Sequence, residues 1–400
     1  MLSPGAPIER LFCELVAIPS PSGSERALGE AIRAWLKDAG VSAGFDRAGE
    51  ANGSDAGNLI ARLPGAPAAP TLLFVAHMDT VESGAEPVVP VVGADGTIRS
   101  GGETILGADN KSAVAAVMRT LVRAADADRT ARPTVVAAFT CCEEAGRMGA
   151  SLLAPALLAE IDCAFSVDGS SPVGTVITRA LGQRVFTVLI HGRTAHAAAD
   201  PDAGVSAIAV AAEAVHGMRL GRLPGGGSAS IAAIAGGALL DRLDGVSGGR
   251  EGVRAALEAT PTNSVPDLVM LRGEVRGYSA EEIVGARADL ERTVADACSA
   301  HGAAYEWRDR ESAVPPFPGA PDSRALGLAR AAAARVEGVR FSVTEAHATL
   351  EANYLCGATD VVALASGGSD AHQVTESIEI VELSRLEALL CAIVEEASSR

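Results

Sequence analysis

The stretch Thr71-Leu72-Leu73-Phe74-Val75-Ala76-His77-Met78-Asp79-Thr80 decides the fold. Its core, Leu73 to Ala76, is apolar at every position, and the run ends abruptly in two ionisable side chains. Continuous rather than alternating hydrophobicity reads as a strand buried on both faces, as in a parallel sheet covered by helices. Two more runs repeat the pattern. Residues 134–139 open onto Thr140-Cys141-Cys142-Glu143-Glu144-Ala145-Gly146, and 163–167 end at Asp168-Gly169. Between them Leu106-Gly107-Ala108-Asp109-Asn110-Lys111 leads into an alanine-rich helix over 112–125, and His372 follows Gly367-Gly368-Ser369-Asp370. Open α/β sheets build their sites at the carboxyl ends of strands. Imidazoles and carboxylates gathered there suit zinc and its neighbours in the first transition row. The set reads as a two-metal hydrolase site.

Outward from this stretch, helical periodicity covers 9–17 and 25–39, and strands are expected over 58–63, 71–76, 134–139 and 163–167. Alternating strands and helices predict a mainly parallel sheet with helices on both faces. From residue 183 the order changes to strand 184–191, helix 205–219, strands 229–235 and 268–276, helix 281–300 and strand 303–308. That βαββαβ order is ferredoxin-like. The proline-rich Val314-Pro315-Pro316-Phe317-Pro318 marks a return to the first domain, with helices over 322–336 and 384–398. The expected organisation is α/β, with a catalytic domain in two parts, 1–179 and 311–400, and an inserted domain at 180–310.

With 48% apolar and 21% charged residues the chain has the make-up of an ordinary globular protein rather than a disordered one. A net charge of −17 argues against nucleic acid or an anionic membrane as partner. The 7 cysteines have no framework spacing, which favours a reducing, cytoplasmic location. No signal peptide and no apolar run of membrane-spanning length is expected. Cys141 and Cys142 read as packing residues, because no base is at hand to activate either thiol.

His77-x-Asp79, Gly107-Ala108-Asp109-Asn110-Lys111, Glu143-Glu144-x-Gly146, Asp168 and His372 resemble the co-catalytic zinc exopeptidases and deacylases. That family includes peptidase T, carboxypeptidase G, aminoacylase and acetylornithine deacetylase. The resemblance runs from Leu15-Val16-Ala17-Ile18-Pro19-Ser20-Pro21-Ser22-Gly23 nearly to the C-terminus, and Thr104 to Lys111 is most similar to the peptidase T-like branch. It implies that His77, Asp109 and Asp168 hold one Zn²⁺ and that Asp109, Glu144 and His372 hold the other, with Asp109 bridging. Co²⁺ or Mn²⁺ would suit the same donors. Asp79, two residues beyond His77 on an extended chain, is placed to orient the His77 ring. Glu143 is then left without a metal and suits a general base. An isolated Glu-Glu pair is usually a solvated charged face; the buried strand before this one and Gly146 after it favour the catalytic reading.

The resemblance further implies that the inserted domain is a lid and a homodimerisation surface. His196, in His191-Gly192-Arg193-Thr194-Ala195-His196-Ala197, would donate to the oxyanion in a partner subunit's site. Arg276 would bind a substrate carboxylate, with Asn263 and Asn353 as further substrate contacts. His191, His216, His301 and His347 carry no motif. Two departures stand out. Residues 238–261, with a helix expected over 250–259, separate Gly236-Gly237 from Asn263, and Ala348-Thr349-Leu350-Glu351-Ala352-Asn353 replaces a glycine-rich loop. The leading expectation is amide-bond hydrolysis in small peptides, as an aminopeptidase or dipeptidase. An N-acyl amino acid deacylase is the alternative. A metal-free binding or regulatory relative is a third, and the intact ligand set argues against it.

Overall fold

The computed structural model describes residues 5–81, 87–146, 148–243, 246–247, 249–310, 313–320 and 322–398. Parts of all three expected segments, and positions 244, 245 and 248 of the 238–261 insertion, lie outside these residues. The chain forms two compact units.

The first unit comprises 1–180, 317–346 and 350–400. Its 8-stranded sheet runs Ala43–Phe45, Leu59–Leu63, Thr134–Thr140, Thr71–His77, Cys163–Val167, Asp360–Leu364, Thr175–Ala180 and Ser342–Ala346. The four central strands are mutually parallel, and antiparallel pairs flank them. The continuous apolar run explains the position of Thr71–His77. Leu72, Phe74 and Ala76 enter a core with Ile8–Val16, Ala108–Asp126, Arg324–Ala333 and Ile380–Ser398. Leu73 and Val75, on the other face, pack with Leu153, Leu158, Leu350 and Leu355. Burying each large side chain contributes roughly 1.5–3 kcal/mol, so helices are needed on both faces. Ile8–Val16 shows the matching helical signal: Ile8, Leu11, Phe12 and Leu15 recur at i, i+3, i+4 and i+7, and all are buried.

Three strands of this sheet, Thr175–Ala180, Ser342–Ala346 and Asp360–Leu364, are additional to the expected ones, as is Ala43–Phe45 at its edge. A separate antiparallel sheet joins Gly368–Ser369, Ser377–Glu379, Thr97–Ser100 and Pro90–Val92. Its strands of two to four residues are too short to leave a period in the sequence. It matters because Gly368–Ser369 and Ser377–Glu379 are the two arms of a hairpin whose loop carries His372.

The second unit comprises 181–316 and 347–349. Gly182–His191, Ala207–Gly217, Ser228–Gly236, Leu268–Gly277, Ala280–His301 and Ala304–Asp309 give the expected βαββαβ order. The sheet is antiparallel, with Leu268–Gly277 and Gly182–His191 side by side in the centre and Gly221–Arg222 added at one edge. Phe186, Val188, Ile190, Val269 and Leu271 pack against Val210, Ala214, Leu290 and Val294 from the two helices. This unit extends to Pro316 rather than 310, because Val314 exchanges backbone hydrogen bonds with Gln183. Among its described residues the insertion carries two helices, Leu239–Leu243 and Gly249–Glu258, where one was expected.

Candidate metal centre

Three neighbouring parallel strands end together in the first unit. His77 closes Thr71–His77, Glu143 and Glu144 follow Thr134–Thr140, and Asp168 follows Cys163–Val167. Asp109 stands at the start of Ala108–Asp126 with non-helical backbone angles, after Gly107 at φ 79°. A left-handed φ there suits glycine and turns the chain so that Asp109 points back toward His77. One donor atom each from His77, Asp109 and Asp168 lie within 4.8 Å of one another, and the same holds for Asp109, Glu144 and His372. Asp109 belongs to both sets. Glu143 also lies that close to His77 and Glu144.

The contacts define the orientation of each group. His77 Nε2 is 3.2 Å from Asp109 Oδ1, and His77 Nδ1 is 2.9 Å from the Asp79 carbonyl oxygen. A carbonyl only accepts, so Nδ1 carries a proton; Nε2 faces the Asp109 carboxylate, donating to it when the ring is doubly protonated and offering its lone pair only to a bound ion. The ring is thus oriented by the Asp79 main chain; the Asp79 carboxylate is 3.6 Å from Nδ1. That carboxylate has another task. It accepts the N–H groups of Glu143 at 2.9 Å and Glu144 at 3.0 Å, and the Ser22 hydroxyl at 2.6 Å. His372 Nε2 is 2.7 Å from Glu144 Oε1 and 3.4 Å from Asp109 Oδ2. Its glycine-rich loop is better anchored than the sequence suggests, because the hairpin arms pin both ends.

Glu376, four residues beyond His372, accepts the N–H groups of Gly107 at 2.7 Å and Asp109 at 2.9 Å. Glu25 accepts the Cys142 N–H at 2.9 Å. Neither role has a signal in the sequence, since each partner lies in a distant segment. Lys111 donates to the Ile18 carbonyl at 2.7 Å, and burial pulls its ammonium down to about 7. Cys141 and Cys142 are buried, and the Cys142 thiol is pushed up by its contact with Cys141 and by burial. Their burial supports the packing reading.

The electrostatics fit a cation site. Burial pushes Asp168 up to about 7, with the Asp109 charge adding to it. Burial also holds Glu143 well above the usual carboxylate range, and Glu144 above it. Glu351, wholly buried, is pushed by burial up to about 7. Asp109 stays below the ordinary range: burial opposes ionisation, but hydrogen bonds from His372 and His77 prevail. His372 is raised to about 9 by Asp109 despite partial burial. Crowded acids around two imidazoles hold their protons unless positive charge is supplied, and divalent ions supply it. The donor set of two imidazoles and three carboxylates suits zinc-like ions.

Asn353 is fully buried, and its Oδ1 accepts the Leu350 N–H at 2.8 Å. This bond fastens the turn that leads into Ala352–Leu355.

Within the second unit His196 and Asn263 come together. His196 bridges to Ser264, and the Ala197 N–H donates to the Asn263 carbonyl at 2.9 Å. His196 Nδ1 accepts from the N–H groups of Ala198 and Ala199 at 3.2 and 3.1 Å, which leaves Nε2 as the donor on an exposed ring. Arg276 is elsewhere. It pairs in register with Gln183 near one end of Leu268–Gly277, whereas Leu268 pairs with His191 at the other. At a strand rise of ~3.4 Å per residue, those ends are about 27 Å apart. One copy of this unit therefore does not gather His196, Asn263 and Arg276 around one small substrate.

An α/β sheet whose strand ends converge on carboxylates and imidazoles sharing Asp109 defines a metal-dependent hydrolase. The chain belongs to peptidase family M20/M25/M40, whose sequence model matches residues 73–396. It is 29% identical over 388 residues to the uncharacterized protein YqjE of Bacillus subtilis, covering 97% of each chain. Among solved structures it is similar to aminopeptidase PepT from Bacillus cereus, with 28% identity, 98% coverage of each chain and a TM-score of 0.84. A tripeptidase from Staphylococcus aureus gives 27% identity, 98% coverage of each chain and a TM-score of 0.85.

Proposed function

We propose that the chain is a dizinc exopeptidase acting on small peptides, in the manner of an aminopeptidase or tripeptidase. The observation that carries this reading is the pair of overlapping donor sets sharing Asp109. Full-length similarity to an aminopeptidase and a tripeptidase supports the choice of a peptide substrate.

His77 and Asp168 would hold one ion, Glu144 and His372 the other, and Asp109 both; Co²⁺ or Mn²⁺ could replace zinc. The pair would polarise the scissile carbonyl and make the attacking water more acidic. Glu143 takes the proton of that water on a carboxylate oxygen and returns it to the leaving amide nitrogen. Asp79 holds the backbone of Glu143 and Glu144 in one turn. His196 donates Nε2–H to the developing oxyanion, helped by Asn263, and Arg276 binds the substrate's terminal carboxylate. The span of Leu268–Gly277 supports a division between two copies, with His196 and Asn263 coming from the partner subunit of a homodimer. The free cysteines and acidic composition support a reducing, cytoplasmic setting.

The test is hydrolysis of a panel of di- and tripeptides beside N-acetyl and N-succinyl amino acids, using protein of measured metal content. Release of an N-terminal residue at the highest kcat/KM is expected. Preference for the N-acyl amino acids would replace this reading with a deacylase.

A further inference from the structure

Arg276 does not hang freely from its strand. Glu274 stands two residues earlier on the same strand face. It accepts Arg276 Nε–H through Oε1 at 2.7 Å and Nη2–H through Oε2 at 3.4 Å. Gln183, directly opposite Arg276 in register, donates from Nε2 to Glu274 Oε2 at 2.5 Å. The Arg276 and Glu274 side chains are 25% and 27% exposed, so the pair is partly withdrawn from water. Burial alone would raise the Glu274 carboxyl, but the hydrogen bonds from Arg276 and Gln183 hold it below its usual range.

A guanidinium offers two planar forks, one side-on through Nε and Nη2 and one end-on through Nη1 and Nη2. Glu274 occupies the side-on fork. Among the described residues nothing bonds to Nη1. The long arginine side chain, which would otherwise sample many rotamers, is thereby aligned with one fork still open.

We propose that Glu274, braced by Gln183, is a positioning residue that presents the end-on fork of Arg276 to the terminal carboxylate of a peptide substrate. It thereby sets the preference for a free carboxylate over an amidated terminus. This deepens the function proposed above and rests on the carboxylate-binding role given there to Arg276. The physical reason is pre-organisation: an arginine already fixed loses less side-chain freedom when the carboxylate arrives. An amidated substrate makes no charged pair with the fork, so it gains nothing from the alignment.

The experiment measures kcat and KM for a tripeptide and its C-terminal amide in the native protein, Glu274→Ala, Glu274→Gln, Gln183→Ala and Arg276→Ala. Glu274→Ala is expected to raise KM for the acid roughly three- to tenfold, with kcat within about twofold and the amide unaffected. Glu274→Gln retains an oxygen acceptor for Nε–H and should keep the acid preference. Gln183→Ala removes only the brace and should lower that preference in the same direction by a smaller factor, which keeps the test alive if Glu274→Ala does not fold. Equal losses on acid and amide in the Glu274 and Gln183 variants, or an unchanged preference, overturn the positioning role when Arg276→Ala itself loses more on the acid than on the amide. Equal losses on both substrates in Arg276→Ala would overturn the carboxylate assignment itself.

Discussion

The Asp79 carboxylate accepts the backbone N–H of Glu144 at 3.0 Å through Oδ2, while its Oδ1 takes the N–H of Glu143 at 2.9 Å. One buried side chain thus fixes the turn that separates the proposed base from the proposed ligand. Asp79→Asn would place an amide donor where one of these acceptors stands, facing an N–H. The expected result is a roughly 10–100-fold loss of metal affinity, with kcat falling alongside it. Metal titration of the stripped variant, followed by kinetics at saturating metal, checks this. Unchanged affinity would mean that the Asp79 carbonyl alone suffices to hold the site.

Glu143 and Glu144 should separate cleanly. Glu143→Gln is expected to lower kcat by about 10²–10⁴ with both ions retained. Glu144→Gln should lose an ion. Elemental analysis of the two purified variants decides, and the reverse pattern would exchange the two roles, since Glu143 lies as near His77 as a ligand would.

Metal removal should make stability depend on pH. Asp168 and Glu351 are each held at about 7 by burial in the metal-free fold. An unfolded carboxyl ionises near 4. Between these values the unfolded chain releases protons that the folded chain keeps. Stability is therefore fully present below about pH 4 and is lost as pH rises toward 7, at up to roughly 1.4 kcal/mol per pH unit for each group. Thermal melts of stripped protein from pH 5 to 7.5 should show a falling Tm. Glu351→Gln, which cannot ionise, should flatten the slope. A Tm that rises over this range would contradict the assignment.

Division of the site between two copies predicts complementation. His196→Ala retains every metal donor but lacks the oxyanion donor, and Glu143→Ala has the opposite defect. Mixed and re-annealed in equal amounts, the two nearly inactive proteins should recover about a quarter of native activity through hybrid dimers with one complete site. Size-exclusion chromatography with light scattering should show the dimer. No recovery from a verified hybrid would place His196 in its own subunit's site.

The fold class and the candidate donors that the structure gathers were legible in the sequence because each is a local property. The apolar run ending at His77 records burial on both faces, and the strands ending before Glu143 and Asp168 record the same thing. What holds those donors was not legible. Glu376 fastens Asp109 across 267 positions, and Asp79 fastens Glu143 and Glu144 across 64 and 65. No periodicity or motif links such partners; packing of the sheet brings them together. The strand Ser342–Ala346 escaped notice because it is largely exposed at the sheet edge and carries no buried run. Asn353 matched a familiar segment, yet the hydrogen bond that its side chain accepts from the Leu350 N–H is set by the buried turn and not by the motif. Most consequentially, His196, Asn263 and Arg276 are all present in the sequence, but the length and register of Leu268–Gly277 send them to opposite ends of one sheet. Residue identity supplies the donors, while three-dimensional spacing decides which of them can meet, because a strand of fixed rise is a rigid ruler.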